Sequence, residues 1–131
     1  MMKEVSRAII LSEDDKVLIG RRARGIAAGQ LALIGGKPDP GEPPIVAIIR
    51  EVEEELGLKF SPEPYLEMVD SDSEPGVSWK LYVFTGKATG KLLLNEEIAE
   101  VIFVSENDLD ELDIAFNHKE LLREYFTSRR S

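Results

Sequence analysis

Residues 5–11 (VSRAIIL) and 16–21 (KVLIGR) are largely apolar, β-rich runs, and the polar SEDD between them predicts a hairpin with Asp14 and Asp15 near its turn. Residues 22–30, rich in Gly, Ala and Arg, read as a loop, and 31–34 as a short strand ending at Gly35–Gly36. The prolines of KPDPGEPP forbid helix and central strand, then give way to a helix over 43–56, where a proline in the first turn costs no intrahelical bond. Gly57 is placed as its left-handed cap. Further strands are expected at 65–69, 78–85, 91–93 and 100–104, with SDSEPGV as a turn-forming loop. Ser105 and Asp108 predict a short helix, and Asn117 with Glu120 forms a capping-box signature for a last helix through about residue 126. Strands with helices inserted between them imply an α/β sandwich whose helices cover a mixed sheet.

On the 43–56 helix, Ile45, Ile48, Ile49, Val52 and Leu56 recur at helical spacing and predict the face turned to the core. Glu51, Glu54 and Glu55 form an adjacent stripe, since residues three and four apart are neighbours. Ala47 lies one turn before Glu51 on that stripe and leaves room above it. Arg50 is placed to pair with Glu54, while Glu53 points away as surface.

Composition narrows what such a stripe can do. The 131 residues fit one domain, 1–131, and no apolar run approaches the length of a membrane helix. The N-terminus lacks a leader pattern, so a cytoplasmic protein is expected. With no cysteine and one histidine, His118, any metal must sit on oxygen. A net charge of −9 argues against stable nucleic-acid binding, whereas a free nucleotide can be held if a divalent cation and a few arginines reverse the field locally. Three converging carboxylates suit Mg²⁺, with Mn²⁺ as the alternative; the competing reading is a solvated helix face.

The wider stretch changes that balance. Gly36, Glu42, Arg50, Glu51, Val52, Glu54, Glu55, Gly57 and Leu58 fill all nine specified positions of G-x5-E-x7-R-E-U-x-E-E-x-G-U, with U a bulky aliphatic residue. At roughly 6–7% per fixed position, a chance match in this chain is on the order of one in ten million. The chain thereby resembles the Nudix hydrolases, MutT-like members in particular. The resemblance implies an α/β/α sandwich with a mixed sheet and the box as loop-helix-loop. It also implies hydrolysis of a nucleoside diphosphate linked to another moiety.

Residue by residue, the resemblance makes Glu51 and Glu55 metal ligands and Glu54 a further ligand or the general base. Gly35 or Gly36 would lend a carbonyl to the metal, and Gly36, Glu42, Arg50 and Gly57 would be structural. Glu97 is the favoured extra acidic ligand or base, with Glu96 and Glu100 competing. Arg22 is placed to contact phosphate, with Arg21 and Arg24 as solvated neighbours. Asn117 reads either as a base-recognising residue or as a helix cap, and Trp79 and Tyr82 as stacking or core aromatics. Many relatives carry Trp-x-x-Pro-Gly-Gly where this chain has Leu31-Ala32-Leu33-Ile34-Gly35-Gly36, which leaves the substrate pocket less defined than the metal site. The expected substrate is a modified or ordinary nucleoside triphosphate, giving a monophosphate and pyrophosphate. The alternatives are an ADP-ribose or nucleotide-sugar pyrophosphatase and a non-catalytic nucleotide sensor, and a homodimer is left open.

Overall fold

The computed structural model describes residues 2–130. In chain order its elements are β1 (Met2–Leu11), β2 (Val17–Arg22), β3 (Leu31–Ala32), β4 (Ile34–Gly36), α1 (Pro44–Leu56), β5 (Lys59–Asp70), β6 (Ser78–Thr89), β7 (Ile98–Val104), a short 3-10 helix (Glu106–Glu111) and α2 (His118–Arg130). β1 is the hub of the sheet. It runs parallel to β6 from the Met2–Ser78 pair to Ile10–Gly86, and meets β4 and the start of β2 antiparallel on its other side. β2 carries β3 and β7, and β5 closes the far edge against β6, so the sheet is mixed.

Alternation along β1 splits the core in two. Val5 and Ile9 face Leu121, Leu122, Tyr125 and Phe126 of α2, together with Leu109 of the 3-10 helix. Ala8 and Ile10 face Ile48, Val52 and Leu56 of α1. Helices therefore cover both faces, the expected α/β/α arrangement. No helix among the described residues is long and apolar enough to cross a membrane.

Several expectations are corrected. The run 31–34 is two strands with different partners, broken at Leu33, whose N–H donates to Nδ1 of His118 at 3.1 Å. Residues 91–93 form no strand: the N–H groups of Leu93 and Asn95 instead donate to the carbonyls of Leu56 and Glu55, at 2.8 and 3.2 Å, satisfying the last turn of α1. The 65–69 strand begins at Lys59 and includes Pro62 and Pro64, tolerated because β5 is an edge. The 78–85 strand continues to Thr89, and the last helix continues to Arg130.

The buried face of α1 is also rotated from the expected one. Ala47, Ile48, Val52, Glu55 and Leu56 are buried, while Ile45 and Ile49 stay exposed. Ala47 is wholly enclosed, so it is the helix's point of close approach to the sheet and leaves no space for a ligand. That rotation carries Glu55 into the interior, where it is only 6% exposed. Gly57 ends the helix with φ 71°, the left-handed cap expected.

Candidate active site

The loop before α1 and the helix itself are bound together by Arg50. Its Nε and Nη2 each donate to the Glu42 carboxylate at 2.9 Å, Nη2 also reaches the Lys37 carbonyl, and Nη1 donates to Glu51 at 2.8 Å and Glu54 at 3.1 Å. Glu42 in turn accepts the Asp39 N–H. The hydrogen bonds to Glu42, then those to Glu54 and Glu51, raise the Arg50 guanidinium pKa further, and the same bond holds the Glu42 carboxyl below its usual range. The Arg50–Glu54 pair is the one expected from their spacing. Glu53 is exposed, also as expected.

Glu51 and Glu55 come together beneath this clamp. A Cβ on Gly36 would lie 2.5 Å from Glu51 Cδ, so the glycine is what lets the carboxylate rest against β4. Burial, then the hydrogen bond and charge of Glu51, push the Glu55 carboxyl far above the usual carboxylate range, with Arg7 opposing. Glu55 consequently holds a proton at neutral pH and is hydrogen-bonded to Glu51. Glu54 is turned outward on Arg50, its side chain half exposed, and no three acidic or imidazole groups among the described residues converge on one point. Gly35 lies in β4 opposite Arg7 of β1.

The segment after β6 supplies the flanking acids. Among Glu96, Glu97 and Glu100, only Glu97 has a charge that acts on Glu55. It pairs with Arg24 at 2.7 Å, whereas Glu100 is tied to Arg21 at 2.7 Å and Glu96 lies 3.4 Å from Arg24. Thus Arg24 and Arg21 are ion-paired rather than simply solvated. Arg22 donates from Nε to the Ile26 carbonyl at 2.7 Å and lies over the Phe116 ring, 5.4 Å from its centroid.

Beside Phe116 opens a cleft of about 820 Å³ lined by Ile26, Met68, Asp70, Phe116, Asn117 and Glu120 among others. Asn117 Oδ1 is buried here with no hydrogen-bond partner. The expected capping box with Glu120 is thus not made by the asparagine side chain. Trp79 donates from Nε1 to Glu74 with Lys3 and Lys37 over its ring, and Tyr82 donates to Glu4, so neither aromatic lines the cleft.

Three contributors escaped the sequence reading. Phe116 adopts φ 60° and joins the cleft to Arg22. Asp70 is buried and accepts the N–H groups of Asp72 and Ser73, shaping the cleft rim. Arg7 sits on the interior face of β1 between Val5 and Ile9. Its signal was legible in principle, because a charge at an inward strand position demands an explanation.

Comparison with known proteins agrees with the fold. The NUDIX domain family profile matches residues 2–125. The human 8-oxo-dGDP phosphatase is 38% identical over 93 residues, which make up 71% of this chain but only 28% of that protein. The ADP-ribose pyrophosphatase of Methanocaldococcus jannaschii is 30% identical over 118 residues, 88% of this chain and 69% of that protein. The crystal structure of a MutT NUDIX hydrolase from Burkholderia pseudomallei superposes with a TM-score of 0.78 at 25% identity, covering 95% of this chain and 97% of its own. With the profile spanning nearly the whole sequence and the box residues gathered as described, the chain belongs to the Nudix family as a MutT-like hydrolase domain.

Proposed function

We propose that this chain is a divalent-metal-dependent pyrophosphohydrolase that converts a nucleoside triphosphate, with a modified base favoured, to the monophosphate and pyrophosphate. The observation that carries the reading is the Glu51–Glu55 pair, two carboxyl groups pressed together in a partly dry site, where a cation could take the place of the proton that Glu55 holds. The donors are all oxygen, which suits Mg²⁺ or Mn²⁺, held by Glu51 and Glu55 with Glu54 and the Gly35 carbonyl as further ligands. Bound there, the ion would neutralise phosphate charge and lower the pKa of a water.

The chain's own groups supply the rest. Arg50 orients Glu51 and Glu54 from one guanidinium. Water attacks phosphorus, the bridging P–O bond breaks, and the water's proton passes to a carboxylate oxygen of Glu54, with Glu97 as the alternative acceptor. Arg22 takes a phosphate oxygen. Asn117, whose Oδ1 lacks a partner inside the cleft, reads the edge of the base. The likeness to a phosphatase named for an oxidised guanine nucleotide supports a purine there. The likeness to an ADP-ribose pyrophosphatase over most of this chain supports a second reading, in which the cleft holds the adenosine half of that substrate. A cytoplasmic setting and a free nucleotide, not nucleic acid, complete the proposal, on a net charge of −9.

The test is a screen of ordinary and oxidised nucleoside di- and triphosphates, ADP-ribose and nucleotide sugars with Mg²⁺ or Mn²⁺, following released phosphate after a coupling enzyme. Turnover of a triphosphate that collapses in folded Glu54→Gln and Glu55→Gln variants is the expected result. Preference for ADP-ribose selects the second reading, and binding of nucleotides without any turnover selects a sensor instead.

A further inference from the structure

Arg7 is an awkward residue for a merely structural role. It is half-buried on the interior face of β1, paired across the sheet with Gly35, where Val5 and Ile9 on either side are core. One hydrogen bond holds it, from Nη1 to the Leu33 carbonyl at 3.2 Å, and its Nε is buried with no partner at all. Among the described residues it makes no ion pair at contact distance. The neighbouring cation is Arg22, and the two guanidiniums flank the ring of Phe116 at 5.8 and 5.4 Å from its centroid. Burial, then the charge of Arg22, lowers the Arg7 pKa to about 10, with Glu55 and Glu51 opposing. A fold gains nothing from setting two cations near each other with a donor left unmade.

An anion between the two resolves every one of these costs. Phe116 lines the cleft and meets both guanidiniums, and Arg7 pairs across the sheet with Gly35, next to the Gly36 on which Glu51 rests, so the arginine pair borders the space for a base on one side and, through Arg7, the carboxylates on the other. We infer that Arg7 is a substrate-positioning residue, a second guanidinium that with Arg22 grips the phosphoryl group of the substrate between the base cleft and the carboxylate pair. Planar guanidinium donors suit phosphate oxygens, and the unused Nε supplies one of them. This rests on the proposed nucleotide chemistry for the identity of the ligand, but the anion site itself is independent of turnover.

Calorimetric titration with inorganic pyrophosphate, in Mg²⁺ and again in EDTA, tests the site on the wild type and on Arg7→Lys and Arg7→Met variants. Arg7→Met should weaken binding by about tenfold or more, as expected for loss of a charge-assisted hydrogen bond, with Arg7→Lys between the two. Without ligand, Arg7→Met should melt within a few degrees of the wild type. On the nucleotide found by the screen, KM should rise by about tenfold while kcat changes little. A wild type that binds no pyrophosphate in either condition, or an Arg7→Met variant that binds as tightly but melts far lower, overturns the inference and makes Arg7 a structural counter-ion. Arg7-dependent pyrophosphate binding in a protein that hydrolyses no nucleotide keeps this site and discards the hydrolase reading; turnover with an unchanged KM in Arg7→Met does the reverse.

Discussion

The guanidinium of Arg50 and the carboxylate of Glu42 meet through two parallel hydrogen bonds of 2.9 Å, joining the proline-rich loop to α1 across eight residues. This fork depends on planar geometry as well as charge. Arg50→Lys, which keeps the charge and loses the fork, should therefore lower the melting temperature by several degrees, nearly as much as Arg50→Met. Recovery of wild-type stability by lysine would show that charge alone holds the loop.

Glu55 links stability to pH and metal. Its carboxyl is pushed up to about 9, above the unfolded value of about 4.3, so the folded state keeps a proton that the unfolded state gives up. The stability that this contributes is complete below about pH 4.3 and is lost as pH rises towards 9. Metal-free Glu55→Gln, which cannot ionise, should gain on the wild type steadily through that window in thermal unfolding. Mg²⁺ must displace the same proton, so its stabilisation of the wild type should grow with pH. An advantage for Glu55→Gln that stays flat from pH 5 to 8.5 counts against the buried, protonated carboxyl.

His118 acts in the opposite direction. Burial, then the charges of Arg7 and Arg22, keep its imidazole neutral well below its ordinary value, and its Nδ1 accepts the Leu33 N–H. A depressed pKa gives stability that is present above about pH 6.5 and lost as pH falls below it. His118→Leu strands the Leu33 N–H and should cost about 1–3 kcal/mol at pH 7.5 in urea unfolding. The gap from the wild type should narrow between pH 6.5 and 5, because only the wild type has an imidazole to protonate. A gap that widens in acid contradicts the neutral assignment.

Gly36→Ala separates folding from activity. The new methyl collides with a carboxylate, not with backbone, so the fold should survive with a modest loss of stability while Glu51 is displaced. Turnover on the best nucleotide should drop by about 100-fold, the scale set by misplacing a catalytic group by an ångström. Near-normal kcat in a folded Gly36→Ala protein would remove Glu51 from the machinery.

Asn117→Ala addresses base recognition. Removing a buried oxygen that has no partner should leave the melting temperature unchanged or slightly higher. Discrimination between purine nucleotides, measured as the ratio of their kcat/KM values, should fall by about tenfold or more. Unaltered discrimination assigns base reading to other residues of the cleft.

What could be read from the sequence was local or carried by the box. The helix, its Gly57 cap and the Arg50–Glu54 pair follow from spacings of a few residues. The direction of α1 did not, because Ile45 and Ile49 are as apolar as Ile48, and only the close seat of Ala47 on the sheet decides which of them is covered. Residues 91–93 read as a short strand, yet the Leu56 carbonyl at the end of α1 claims the Leu93 N–H. The break at Leu33 depends on a histidine 85 positions away. Phe116 and Asn117 join the site only through the long return of the chain after β7. Such pairings leave no periodic trace.

Pro62 and Pro64 in β5 bear on how copies of this protein can meet. Because β5 pairs with β6 along its length, the missing N–H groups face away from the sheet, and a strand arriving from another molecule would find no donors there. That part of the rim is a poor template for an incoming strand. At this stretch of the edge the two imino acids make backbone pairing with another copy unfavourable, so a contact there would rest on side chains.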